Sequence, residues 1–543
     1  MSKAAPLRTL HVLLLAVAVV LFGVALLLRQ GGGLCAQKTG PLFFETSWLS
    51  GGAAVLHHAS GDAAHHGGDG GAGAAQQLGQ RGCPTSEEVA ASPWASSCYH
   101  LTKVCVDNGG LILYDDRFQP APHGGGEQAP SFAAEKNYGQ YIYVYRNGHG
   151  SFNYPLASIR SRGQADNEGA EYLRQPTFSQ CTVPVVWYPF WMKNFGHFLR
   201  DNSAKLWGFI EDTPWADGIK LVPVTAEGLA LPGFNYQLLQ AMTPLRVETW
   251  ADFSSRLPQA GLPPEQPGPL PSAEGNHQRC FDSMLICTHG LNITRWPLHG
   301  FGRHLVQTYK HLLAPEARAA AETESAVRAG RPGSPTAGSL TMLSVVFQTR
   351  VGDTRQILNL EELLQRCNKW QHTTADGQRF GFKCWEAEIT DLTSGMTAAQ
   401  LADVMVGVHG ANLANGWMLR PGSSMIEIQA YGFDKHAPHL QDPLFNAEDK
   451  ESQVLWWVLQ GCDPEGYVPS PAEAAGKGVA ASWVKNRNVI LRWEALQIAL
   501  RQVADTGGDM QQYWQLWRSG HWWWHVNPHN ITLGGHHHSV CAF

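Results

Sequence analysis

The segment from Val404 to Ile428 constrains the fold more than any other stretch of the chain. It opens with a short apolar run, Val404-Met405-Val406-Gly407-Val408, passes through a turn of small and polar residues, His409-Gly410-Ala411-Asn412-Leu413-Ala414-Asn415, continues as Trp417-Met418-Leu419, turns at Pro421-Gly422-Ser423 and ends in Met425-Ile426-Glu427-Ile428. Uninterrupted apolar runs of this length read as strands buried on both faces. A strand, a helix and a second strand in this order are the unit of a parallel α/β sheet. Upstream, Met342–Phe347 is a further strand of the same kind, ending at Gln348, Thr349 and Arg350. Asn359 then stands before LEELLQRC with Glu362 three residues on, a capping-box spacing, and Leu360, Leu363, Leu364 and Cys367 recur with helical period. Thr397 and Gln400 repeat the cap signature before AAQLAD.

In an open parallel sheet, ligands bind beyond the carboxyl ends of the strands, where a helix start presents unpaired N–H groups to anions. His409, Gly410, Ala411, Asn412 and Asn415 occupy such a place, and Gly410 and Ala411 leave room for a diphosphate to approach the backbone. Arg350 and Arg355 follow another strand and supply guanidinium groups suited to phosphate oxygens. Glu427 is the one acid in an apolar strand, placed to accept hydrogen bonds from ribose hydroxyls. The plainer alternatives are a tight turn whose histidine satisfies nearby backbone, and a buried glutamate paired with a structural arginine.

At 543 residues the chain suggests roughly three or four domain-sized units. Its 40 Lys plus Arg against 46 Asp plus Glu leave no cationic surplus, so nucleic acid is excluded as a partner. Val12–Leu28 is apolar and uncharged, and Leu10 and His11 extend it toward the ~20 residues that cross a bilayer. Lys3 and Arg8 precede it, which predicts a cytosolic N-terminus and a lumenal body, a single-pass type II membrane protein. A cleaved signal peptide is the alternative, but its apolar core is usually shorter. Ten of the 11 cysteines lie beyond Cys35, consistent with disulfides of unspecified pairing. Asn292-Ile-Thr294 and Asn530-Ile-Thr532 are glycosylation sequons. Gly51–Ala75, with 16 of 25 residues Gly or Ala, reads as a flexible stem, and His57, His58, His65, His66 and the tract His536–His538 read as solvated residues rather than metal ligands. Pro/Gly/Ala-rich breaks at Leu257–Gly275, Ala319–Gly338 and Pro469–Ala481 read as surface insertions.

Two stretches together resemble glycosyltransferase family 61: FQTRVGDTRQILNLEEL with DVMVGVHGANLANGWMLRPGSSMIEI between Phe347 and Ile428, and VVWYPFWMKNFGHFLRD from Val185 to Asp201. The family includes plant core xylosyltransferases of N-glycans, xylan arabinosyl- and xylosyltransferases and animal O-linked N-acetylglucosaminyltransferases. The resemblance implies a GT-B architecture of two Rossmann-like α/β domains facing a cleft, and inverting transfer from a UDP-sugar that is substrate rather than cofactor. It also implies no essential metal, which agrees with the lack of any Asp-x-Asp triplet in the chain. The family commonly has Gly where this chain has Asn412. On the acceptor side, His197 and Asp201 share one face if Asn194–Lys205 is helical, and either can serve as base, a capping or donor-orienting pair being the alternative. Trp187, Tyr188, Phe190 and Trp191 can stack on sugars or fill core.

The expected organisation is a cytosolic tail and anchor over 1–29, a stem over 30–82, an acceptor-side domain over 83–275, a donor-binding Rossmann-like domain over 276–430, and a C-terminal segment over 431–543 packing back on the body. The expected activity is that of a Golgi, or ER, glycosyltransferase moving a sugar, xylose first, to a glycan or glycoprotein. The rivals are O-linked N-acetylglucosamine transfer to protein Ser or Thr, and an inactive tethered glycan-binding protein. A lumenal body predicts that the protein made in cells carries N-glycans at Asn292 or Asn530 and keeps its N-terminus. Peptide mapping after glycosidase treatment checks both, and a mature N-terminus within the stem would contradict the anchor.

Overall fold

The computed structural model describes residues 83–115, 141–143, 153–155, 158–161, 171–189, 191–225, 230–255, 279–287, 297–323, 325–326, 340–349, 352, 354–432, 452–468, 486–534 and 541. The apolar run Val12–Leu28, the stem and its histidines, His536–His538, Phe190, Asn292 and Arg350 lie outside the described residues. Among the described residues, no helix is long and apolar enough to cross a membrane.

Two sheets dominate. The first has six strands in the spatial order Ser158–Ser161, Gly110–Leu113, Cys98–Asp107, Cys280–Cys287, Val183–Trp187, Ile219–Pro223. Val183–Trp187 runs parallel to both of its neighbours, whereas Cys98–Asp107 is antiparallel to both of its own. This sheet is therefore mixed, a departure from an all-parallel Rossmann layer. The cause is local: Asn108 and Gly109 both have positive φ, 44° and 74°, and close a two-residue hairpin between register partners Asp107 and Gly110. Cys98 faces Cys287 and Cys105 faces Cys280 across the antiparallel pair, and each couple forms a disulfide. The strand Cys280–Cys287 thus belongs to the first sheet. Cys83–Cys181, Cys367–Cys384 and Cys462–Cys541 complete five bridges, so all ten distal cysteines are paired.

The second sheet has eight strands in the order Gln371–Thr373, Arg379–Glu388, Leu340–Thr349, Val404–Val408, Ser424–Gln429, Leu455–Gly461, Trp523–Val526, Ile531–Leu533. Its six central strands are parallel and an antiparallel strand closes each edge. The C-terminal segment therefore extends this sheet by three strands instead of only packing on it. The chain leaves Leu340–Thr349 toward one edge, forms Arg379–Glu388, and returns across it to Val404–Val408 on the other side. Right-handed crossovers in opposite directions put their helices on opposite faces and open a crevice between the first strand and the third, at their carboxyl ends. Thr349 and Val408 end those two strands.

Two helix starts differ from expectation. Asn359 precedes the helix Leu360–Lys369 without capping it, because its amide is taken by Leu491: Asn359 Oδ1 accepts from the Leu491 amide at 3.0 Å and Nδ2 donates to the Leu491 carbonyl at 2.9 Å. The following helix, Leu392–Leu401, begins before Thr397. Asp391 caps it through a box with Ser394, Asp391 Oδ1 accepting from Ser394 N at 2.7 Å and Ser394 Oγ accepting from Asp391 N at 3.0 Å.

The helix Leu298–Thr308 carries a buried histidine that ties it to two segments between strands of the second sheet. His299 Nε2 donates to the Leu419 carbonyl and Nδ1 accepts from the Gln453 amide, both at 3.1 Å. That pattern needs the neutral ring, and burial pushes the His299 pKa down to about 4. An unfolded histidine titrates near 6.5, so the unfolded chain binds the proton first as pH falls. Folding stability should be level above about pH 6.5 and decline toward pH 4, by up to ~3 kcal/mol from this group. Urea denaturation across that window checks it: His299→Leu is expected to remove that part of the slope, and an unchanged slope would contradict the assignment.

Candidate functional site

Val404–Val408 and Ser424–Gln429 lie side by side in register, Gly407 opposite Glu427. His409 follows directly after the first of these strands, and its amide donates to the Ile428 carbonyl at 2.9 Å. This brings its ring to the Glu427 carboxylate, where Nδ1 and Oε1 are 2.6 Å apart. Gln429 Nε2 also donates to Oε1, and Trp456 Nε1 donates to Oε2, each at 3.0 Å. Burial opposes charge on Glu427. The charge and hydrogen bond of His409, with the hydrogen bonds from Gln429 and Trp456, outweigh it and hold the carboxyl below its ordinary range. An ionised Glu427 must accept, so His409 Nδ1 carries the proton and Nε2 lies on the opposite edge of the ring. The partner of Glu427 is thus a histidine, where an arginine was one alternative.

The turn after His409 is a buried 3-10 helix, Ala411–Met418, packed among helices of three regions of the chain. Asn412 does not have a positive φ, so the left-handed tolerance of asparagine is not used there. Asn415 is fully buried, and its Nδ2 donates to the Asn412 carbonyl at 2.6 Å. Its Oδ1 lies against Gly395, where a methyl group would collide with it. Asn415 thus holds the shape of the turn from inside, and Asn412 is buried beside it. Gly410 and Ala411 remain partly exposed at its start. Arg355, with φ of 59°, donates through Nη2 to Asn486 Oδ1 at 2.8 Å.

The second motif forms the expected helix. Asn194 accepts from His197 N at 3.1 Å as N-cap, and the helix runs from Phe195 to Glu211 with a π-helical stretch over Phe198–Ala204. Such wide turns recur at functional positions. His197 Nδ1 and Asp201 Oδ2 are 2.8 Å apart, and Arg200 Nε donates to Asp201 Oδ1 at 2.6 Å. Burial raises the Asp201 pKa, but the hydrogen bond and charge of His197, with the charge and hydrogen bond of Arg200, overcome it and hold the carboxyl low. An ionised Asp201 accepts from His197 Nδ1–H, which leaves the lone pair on Nε2. That nitrogen has no hydrogen-bond partner among the described residues, and the His197 side chain is 33% exposed. Trp191 stacks on the ring, centroids 5.1 Å apart.

The two motifs meet. A Cβ at Gly196 would stand 3.1 Å from the Ala411 Cα and 3.2 Å from its carbonyl oxygen, so the His197 turn and the His409 turn pack backbone to backbone at a distance that a side chain would press on. Gln429, Trp456 and Arg200 were not anticipated. Gln429 and Arg200 were legible as the i+2 face-mate of Glu427 and the neighbour of Asp201, whereas Trp456 is brought in by a strand distant in sequence.

A mixed α/β fold with large, partly parallel sheets fits an α/β glycosyltransferase. The family model Glycosyltransferase 61 matches residues 195–426, from the His197 helix to the Glu427 strand, and supports assigning the chain to that family. No curated protein matches the chain. The assignment supports glycosyltransferase activity, with a nucleotide sugar and a glycan acceptor as partners.

The glutamate network should be measurable by itself. Glu427→Gln turns one acceptor into a donor that faces Trp456 Nε1–H or His409 Nδ1–H, an expected loss of about 2–4 kcal/mol of stability. Urea unfolding of the variant checks this, and an unchanged midpoint would show that the network holds nothing.

Proposed function

We propose that the protein is an inverting, metal-independent glycosyltransferase of the Golgi membrane, type II in topology with its body in the lumen, that transfers a sugar from a UDP donor to a glycan or glycoprotein. The observation that carries this reading is the junction at Gly196 and Ala411, which sets a histidine with an available ring nitrogen beside a second histidine at the strand-end crevice.

His197 Nε2 takes the proton of the acceptor hydroxyl. The oxygen attacks the anomeric carbon on the face opposite the leaving group, the C–O bond to the β-phosphate breaks, and UDP departs with the electron pair. Asp201 holds the His197 tautomer and offsets the imidazolium that forms. Charge grows on the diphosphate toward the transition state, so fixed cationic donors there act selectively on the rate. In this reading Arg350 and Arg355 supply the charge, and the His409 ring, backed by Glu427, and the backbone of Gly410 and Ala411 line the diphosphate site. The family resemblance and the absence of an Asp-x-Asp triplet in the sequence support catalysis without an essential ion. Xylose is the first-choice sugar on the family resemblance, ahead of N-acetylglucosamine.

UDP release and product mass, measured with UDP-xylose and UDP-N-acetylglucosamine in EDTA, test the reading. His197→Ala, His409→Ala and Arg350→Ala should each lose ~100-fold or more in turnover with thermal transitions near that of the parent protein. Full activity in any of the three removes that residue from the mechanism, and metal-reversible loss in EDTA contradicts metal independence.

A further inference from the structure

Four aromatics precede the His197 helix, and the fold separates them. Trp187 and Tyr188 are buried in the first sheet, and Phe190 is outside the described residues. Trp191 is only half-buried, and it adopts a φ of 51°, in the left-handed region that bulky side chains avoid. Such a conformation is strained and persists only where surrounding bonds enforce it. Here they do. The Asn194 amide donates to the Trp191 carbonyl at 2.9 Å, and the buried Asn235 Nδ2 donates to the Met192 carbonyl at 3.0 Å. Both bonds hold the turn that follows the indole, which lies nearly parallel to the His197 imidazole, with 23° between the planes.

A tryptophan needed only as core gains nothing from remaining half-exposed in a strained backbone beside a base. We propose that Trp191 is the platform for the acceptor, presenting aromatic surface to the C–H face of a pyranose ring so that one ring hydroxyl reaches His197 Nε2. The nucleophile is then a sugar hydroxyl rather than a Ser or Thr side chain. This rests on the transferase reading above and narrows its acceptor to a saccharide. Trp191 is a substrate-positioning residue: it binds the acceptor and leaves donor chemistry alone.

The test uses the full-length protein with UDP-xylose, and with a free mannose-rich oligosaccharide or a folded Ser/Thr-containing peptide domain as acceptor. Trp191→Phe keeps an aromatic face and Trp191→Leu does not. Trp191→Gly accommodates the positive φ, so a folded form without the indole exists even where leucine is not tolerated. Trp191→Leu or Trp191→Gly should raise the oligosaccharide KM about five- to tenfold, and Trp191→Phe less than about threefold. The KM for UDP-xylose should not move. Equal oligosaccharide KM in the parent protein and the Leu and Gly variants, or preference for the peptide domain, would overturn the platform while acceptor-free UDP release kept the transferase reading intact. No UDP release with any donor would remove that reading and this inference with it.

Discussion

A carboxylate inside a parallel sheet is the constraint on which the site depends. Glu427 lies in a strand whose other side chains are all buried, and an unpaired charge there would cost several kcal/mol. Three donors from three positions remove that cost: His409 at the end of the neighbouring strand, Gln429 two residues on, and Trp456 from the strand beyond. The pairing fixes the register of Val404–Val408 against Ser424–Gln429 and the ring orientation of His409 in one step. It also fixes a proton on His409 Nδ1, which keeps the outward edge of the ring constant at the crevice.

His197 and Asp201 repeat this logic on a helix. In both places an ionised acid stands behind a histidine and sets its tautomer, but the acids differ in company. Asp201 shares its charge with Arg200, whereas Glu427 is surrounded by neutral donors and His409. His197, a third exposed, is the more accessible imidazole, with 20% exposure for His409. The lack of a side chain at Gly196 lets the two turns approach through the Ala411 backbone.

Much of this was legible in the sequence where local signals agree with burial. The strands Val404–Val408 and Ser424–Gln429 were visible as apolar runs, the helix bearing His197 and Asp201 as an i, i+4 pair, and the disulfide-forming cysteines as a group. Where a tertiary partner competes with a local one, the local signal misleads. Asn359 has the residue type and spacing of a cap, but Leu491, distant in sequence, takes its amide. Asn412 and Asn415 look like ligand-facing turn residues and are turned inward, because the 3-10 helix packs among elements that no local pattern announces. The strand Cys280–Cys287 joins the first sheet through cross-strand pairing with Cys98–Asp107, which no local pattern announces.

The central claim is a division of labour, with His409 on the nucleotide and His197 on the acceptor. Calorimetric titration of UDP into the full-length protein and its His409→Ala and His197→Ala forms measures that division without any turnover. UDP should bind the parent protein and His197→Ala with the same affinity and His409→Ala about tenfold or more weakly, the scale of one lost charged hydrogen bond. Equal affinity in all three, or weakening by His197→Ala alone, would contradict it.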